Sequence, residues 1–214
     1  MNFKIKDFLR KNVFPIIAEI ALIISFLYLP SHVHIYVNTL FYLLLFGYII
    51  YKKDYSLNAW ITKIKSGKDF WKKTSLTIFG FIMAVIISTL LENSCGDFNT
   101  GAIKLTVNNW FDLICFVLST ILLPAITEEI VFRKNMISLK KDSVFITSLI
   151  SMLLFSAEHY LSIWGIFLGM IWAVPLTISY IKTKDIYVPM TAHFIVSLLG
   201  NGIDAISMFL KMLN

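Results

Sequence analysis

Apolar residues fall in long blocks separated by short polar breaks. About 20 apolar residues cross the roughly 30 Å hydrocarbon core of a bilayer as one helix. Blocks of that kind cover residues 13–29 (ended by Pro30), 33–51, 74–91, a run from Trp110 into the stretch "ITEEIVFRKN" at 126–135, then 143–160, 161–181 and 186–214. Within the last, Gly200-Asn201-Gly202 is a point where one helix can divide into two. The pattern predicts an all-α, polytopic transmembrane bundle of seven to eight spans. It forms a single domain over 1–214, with N-terminal spans in 1–109 and a polar-residue-bearing core in 110–214. The N-terminal block is too long for a signal-peptide core and lacks a small-residue cleavage site, so it reads as a retained span.

Composition sharpens this. Of 214 residues, 57% are hydrophobic and 15% charged, against about 45–50% and 25% in soluble domains. The net charge is +6, and the basic residues crowd into alternate breaks: Lys4, Lys6, Arg10 and Lys11; the loop 52–73; the stretch Arg133 to Lys141; and Lys182 with Lys184, with only Lys104 in the loop 92–109. By the positive-inside rule these breaks and the N-terminus are cytoplasmic, in a multi-pass protein of the cell membrane, and 30–34, 92–109 and 160–162 face outward. Such clustering signals orientation in a lipid bilayer and no nucleic-acid partner. Cys95 and Cys115 lack any CxxC spacing; an isolated bridge between them is left open.

Ionisable residues inside apolar blocks are expensive, so they mark candidate function. Glu128, Glu129 and Arg133 sit at the end of the fourth block, and His159 and His193 in later ones. Glu128 lies about 20 Å before the Lys140-Lys141 turn and His159 about 27 Å after it, while His193 lies about 15 Å after Lys184, at 1.5 Å per helical residue. Three helices thereby bring these residues to similar depth, with access expected from the cytoplasmic side. Glu129 and Arg133, four apart, share a helix face and can neutralise each other. Glu128 points about 100° away from Glu129, which leaves it to act as a general base with His159 as a hydrogen-bond partner. His32 and His34 read as interfacial, Glu19 as cavity-lining, snorkelling or paired, and Trp60, Trp71, Trp110 and Trp164 as interface-belt residues.

These residues carry a resemblance. "EEIVFR" from Glu128 to Arg133 is similar to the EExxxR motif of the CPBP family of intramembrane proteases, which includes CAAX prenyl endopeptidases and bacteriocin-processing or immunity proteins. "FSAEH" from Phe155 to His159 resembles its FxxxH motif, and "VPMTAHFIVS" resembles the segment bearing its HxxxN motif. The resemblance covers about 112–202. It implies that Glu128 and His159 activate a water for attack on a peptide carbonyl and that His193 stabilises the oxyanion. Glu129 and Arg133 would hold the site together, and Phe155 would pack a turn before His159.

One position departs: Ser197 stands where the family has Asn, and its hydroxyl is a shorter donor than an amide. Asn201, one turn on, can substitute only if the helix continues through Gly200. Family members are often described as metalloproteases, and two Glu with two His form a donor set that zinc accepts. No HExxH occurs, however, and the glutamate–histidine route requires no cofactor.

The resulting expectation is an intramembrane endopeptidase acting on a peptide or membrane-protein substrate, in bacteriocin self-immunity or membrane peptide processing. The alternative is a catalytically inactive immunity or regulatory protein that binds a peptide or membrane partner. A proton-relay transporter would call for internal symmetry or paired broken helices, and neither occurs in the sequence.

Overall fold

The computed structural model describes residues 5–94 and 99–213, so Cys95 lies outside the described residues, and Cys115 is buried with no disulfide partner among the described residues. Eight helices run through the described residues: α1 (Ile5–Tyr28), α2 (His34–Tyr51), α3 (Leu57–Ile64), α4 (Lys68–Ser94), α5 (Trp110–Asn135), α6 (Val144–Ala157), α7 (Ile163–Thr183) and α8 (Tyr187–Leu213). All but α3 and α6 are long and apolar enough to cross a membrane, and the fourteen-residue α6 makes a shorter seventh apolar helix. Ile17, Leu44, Leu76, Phe79, Phe145 and Ile163 face outward. Water tolerates few such surfaces, whereas lipid requires them.

Local chemistry sets the boundaries. Ser56, Asn109 and Ser162 cap the N-termini of α3, α5 and α7 by accepting backbone N–H bonds, as at Phe111 (2.9 Å) and Gly165 (3.0 Å). Lys184, left-handed at φ 53°, turns α7 into α8. Gly200 and Gly202 do not divide α8, which continues unbroken to Leu213.

The basic breaks gather on one face. Arg10, Lys11, Lys52 and Lys134 surround one hollow there, and Lys63, Lys73, Lys134 and Lys184 another. Amphipathic α3 lies in this region, and the side chain of Trp60 is turned inward: it is buried and its indole N–H donates to Thr191 Oγ1 at 2.8 Å. It is therefore a packing residue and not a belt residue, whereas Trp71 and Trp110 remain exposed.

The opposite face carries a strap. Residues 102–108 are extended, with Ile103, Leu105 and Val107 half-buried and the alternating positions exposed, as in a strand lying on an apolar surface. Ile103 N–H donates to His159 O (3.0 Å), Leu161 N–H donates to Gly101 O (2.9 Å), and Ala102 pairs with Tyr160. Asp112 anchors the far end, accepting from Asn108 N–H (2.8 Å) and from the Tyr36 hydroxyl (2.5 Å).

Inside, α4 packs on α7 and α8, α6 on α7, and α1 and α5 on α2. The main apolar core runs from Leu22 and Phe26 through Ile130–Phe132 to Met190.

Candidate active site

The site starts from irregularities in α5. Proline has no N–H, so Pro124 leaves the carbonyl of Thr120, one turn back, without its helical donor. Asn201 of α8 supplies one, its side-chain amide donating to Thr120 O at 2.9 Å. Just before it the helix widens: Leu123 N–H reaches back five residues to Leu118 O, and the amide of Asn38 donates to Ser119 O at 3.3 Å. A second widened turn covers Glu129–Asn135, with Met136 N–H on Val131 O (3.1 Å) and the hydroxyl of Ser151 donating to Phe132 O (2.6 Å). Wide turns of this kind recur at functional sites.

Glu128, Glu129 and Arg133 are all wholly buried. Glu129 turns into a sealed network. Arg133 Nη1 lies 3.3 Å from Glu129 Oε1, His193 Nδ1 is 2.9 Å from the same oxygen, and the guanidinium sits 4.3 Å over the Phe155 ring. The carboxylate neutralises the cation, and the aromatic face takes the part of the guanidinium that lacks hydrogen-bond acceptors.

Glu128 faces the other way, into a cavity of about 340 Å³ that it shares with His159, His193, Ser197 and Asn201. Its Oε1 accepts the Tyr42 hydroxyl at 2.5 Å. Its Oε2 has no hydrogen-bond partner among the described residues and lies 3.9 Å from His193 Nε2. His159 Nδ1 meets Phe155 O at 3.0 Å, and a carbonyl only accepts, so Nδ1 carries the proton there. In the neutral ring, Nε2 is then the acceptor nitrogen. Phe155 packs on His159 (5.0 Å between ring centres), and Trp172 stands edge-on at 6.0 Å, its indole N–H donating to Ser88.

The eight residues singled out from sequence thus fall into two groups. Glu128, His159, His193, Ser197 and Asn201 line the cavity, while Glu129, Arg133 and Phe155 lie behind it. Glu128 and His159 share the cavity without a direct hydrogen bond between them. Because α8 is continuous, Asn201 reaches the site, but one of its amide hydrogens is already committed to Thr120.

Sequence reasoning missed Tyr42, Asn38 and Trp172, none of which stands out in an apolar block. It also passed over Glu158, although a charge beside His159 satisfied the criterion that found the others. Expected access is corrected as well. The cavity is lined by Ala102, Ile103, Leu105, Tyr160 and Asp204, so it opens beneath the strap, on the face opposite the basic loops. Helix heights measured from the turns placed the residues at common depth but said nothing about which end is plugged. Ile130, Phe132 and Met190 close the basic side, and α6 stops at the cavity's rim. Outside the spanning helices, burial and then the Glu92 carboxylate push the Tyr160 phenol up, so it borders the mouth as a neutral group.

Among the described residues no three His, Cys, Asp or Glu side chains are gathered as a metal-ligand set. Each imidazole has Nδ1 committed, to a carbonyl or to Glu129.

Residues 109–199 match the family model of the type II CAAX prenyl endopeptidase Rce1-like proteins, in agreement with the motif resemblance. No curated protein and no solved structure gives a significant match. At the level of the family, the match supports a CAAX-type intramembrane protease: a hydrolase in a bilayer, acting on a peptide.

Proposed function

We propose that this Rce1-like chain hydrolyses a peptide bond at the cavity beneath the strap, with Glu128 as general base. The observation that carries this reading is Glu128 Oε2, an oxygen on a wholly buried carboxylate with no protein donor, beside a cavity that it shares with two imidazoles. A water there gives its proton to Glu128 while its oxygen attacks the peptide carbonyl. His159 Nε2 accepts the water's second hydrogen bond and orients it. As the new C–O bond forms, the carbonyl π pair moves onto oxygen. That oxyanion is met by His193 Nε2–H in the doubly protonated ring, whose Nδ1–H stays on Glu129, and by the Ser197 hydroxyl and the second amide hydrogen of Asn201. Collapse breaks the C–N bond, and the proton held by Glu128 goes to the leaving amine.

The role we assign is bacteriocin self-immunity or membrane peptide processing, a reading that starts from the motif resemblance to a family with such members. The test compares Glu128→Gln and Glu129→Gln with wild type at matched expression, using bacteriocin challenge of the host and mass spectrometry of membrane peptides. Loss of protection and of a specific cleavage product in a folded Glu128→Gln protein is the expected result; undiminished protection and cleavage would sink the reading. A second reading, a binding-only immunity protein, is favoured by Ser197 together with the engagement of Asn201 on Thr120. Protection without any Glu128-dependent product is its signature.

A further inference from the structure

Beside Glu128 lies a pair of acids that the mechanism does not use, and one of them, Glu158, also lines the cavity. Glu158 caps the C-terminus of α6 and Glu19 comes from the middle of α1; both are buried, at 5% and 2% exposure, and their side chains adjoin. Neither makes a salt bridge among the described residues. If both are ionised, the two oxygens of Glu19 and Oε1 of Glu158 have no donor at all. The remaining oxygen, Glu158 Oε2, lies 3.2 Å from the Tyr42 hydroxyl, which has one proton and places it on Glu128 at 2.5 Å. Two buried carboxylates therefore meet one hydroxyl, and a third, Glu19, adjoins the second of them. Arg133 and the His193 imidazole are engaged elsewhere, against Glu129 and Glu128.

Like charges at such range cannot all ionise in a dry interior, and an unpaired buried carboxylate is costlier than a protonated one. A carboxyl proton between Glu19 and Glu158 supplies the missing donor and removes repulsion from Glu128. We propose that Glu19 and Glu158 form a proton-sharing acid pair which, with Tyr42, positions Glu128 as the ionised member of the cluster, Oε1 on the hydroxyl and Oε2 toward the cavity. All three are positioning residues. Glu19 and Tyr42 lie outside the segment that matches the family model, so this support is built by the N-terminal helices.

This inference rests on the protease reading for its purpose, but its test does not. Infrared spectra of the full-length protein in detergent, carrying ¹³C-labelled glutamate, are recorded at neutral pH in H₂O and D₂O. Wild type and Glu128→Gln are expected to show a protonated-carboxyl C=O band that shifts in D₂O. Glu19→Gln and Glu158→Gln should each lose or displace it. Tyr42→Phe should keep the acid band while moving the antisymmetric carboxylate stretch of Glu128, which a purely packing role for the ring would leave in place. Absence of the band in wild type overturns the pair whether or not the variants fold, as does a band lost only in Glu128→Gln. A band present without Glu128-dependent cleavage leaves the pair standing and removes the protease reading; cleavage without the band does the reverse.

Discussion

The two faces of α5 at Glu128 and Glu129 differ in what they are closed against. Glu129, itself wholly buried, meets a cation, an imidazole N–H and, through Arg133, an aromatic ring. Glu128, one residue earlier and equally buried, has one oxygen fixed by Tyr42 and the other beside a cavity. Adjacent residues of the same type are thus divided by a turn of about 100° into a structural carboxylate and a chemically available one. Burial alone does not distinguish them. The number of oxygens left without a protein partner on the cavity side does.

Substitutions test that division in descending order of effect. Glu128→Gln, near-isosteric, should lower kcat for the cleavage product by about 10³-fold while leaving the detergent melting temperature close to wild type. If rate and stability fell together, the two faces would not be separable. Arg133→Met should act in the opposite sense, leaving Glu129 buried without its guanidinium partner at a cost of about 3–5 kcal/mol, read as a lowered denaturation midpoint. Adding Glu129→Gln should restore part of it, and an Arg133→Met protein as stable as wild type would show that the network carries no stability. Asn201→Ala removes the donor to Thr120 and should cost about 1–3 kcal/mol, with some loss of rate. A rate loss without a stability loss would recast Asn201 as chiefly an oxyanion donor. Lys140→Ala, on the exposed basic face, should change neither quantity measurably.

Charge inside apolar blocks was the strongest signal the sequence held, since lipid makes each such residue conspicuous. Glu128, Glu129, Arg133, His159 and His193 were legible for that reason, and the matched family segment contains them all. Tyr42 was not, because tyrosine is ordinary in a membrane helix and its importance comes from a partner 86 residues away. Trp60 reads from sequence as a belt residue, but its burial depends on how α3 folds back toward Thr191. The strap does not stand out in the sequence, because Lys104, Thr106 and Asn108 mask the alternation of Ile103, Leu105 and Val107. Which end of the cavity opens depends on that strap and on the shortness of α6, quantities that only the packed structure supplies.

The widened turns of α5 make residue count itself a structural variable. Each closes a backbone bond over five residues instead of four, so each holds one residue more than a regular turn would. Dropping a single residue from 129–135 would let that turn tighten and rotate Glu128 by about 100° relative to the helix beyond it. The cavity carboxylate would then point toward the sealed side although every motif letter survived. A comparison that admits a gap inside this helix would align the letters and misplace the chemistry. In this stretch, insertions and deletions are as consequential as substitutions, whereas the exposed Lys140-Lys141 turn can absorb them.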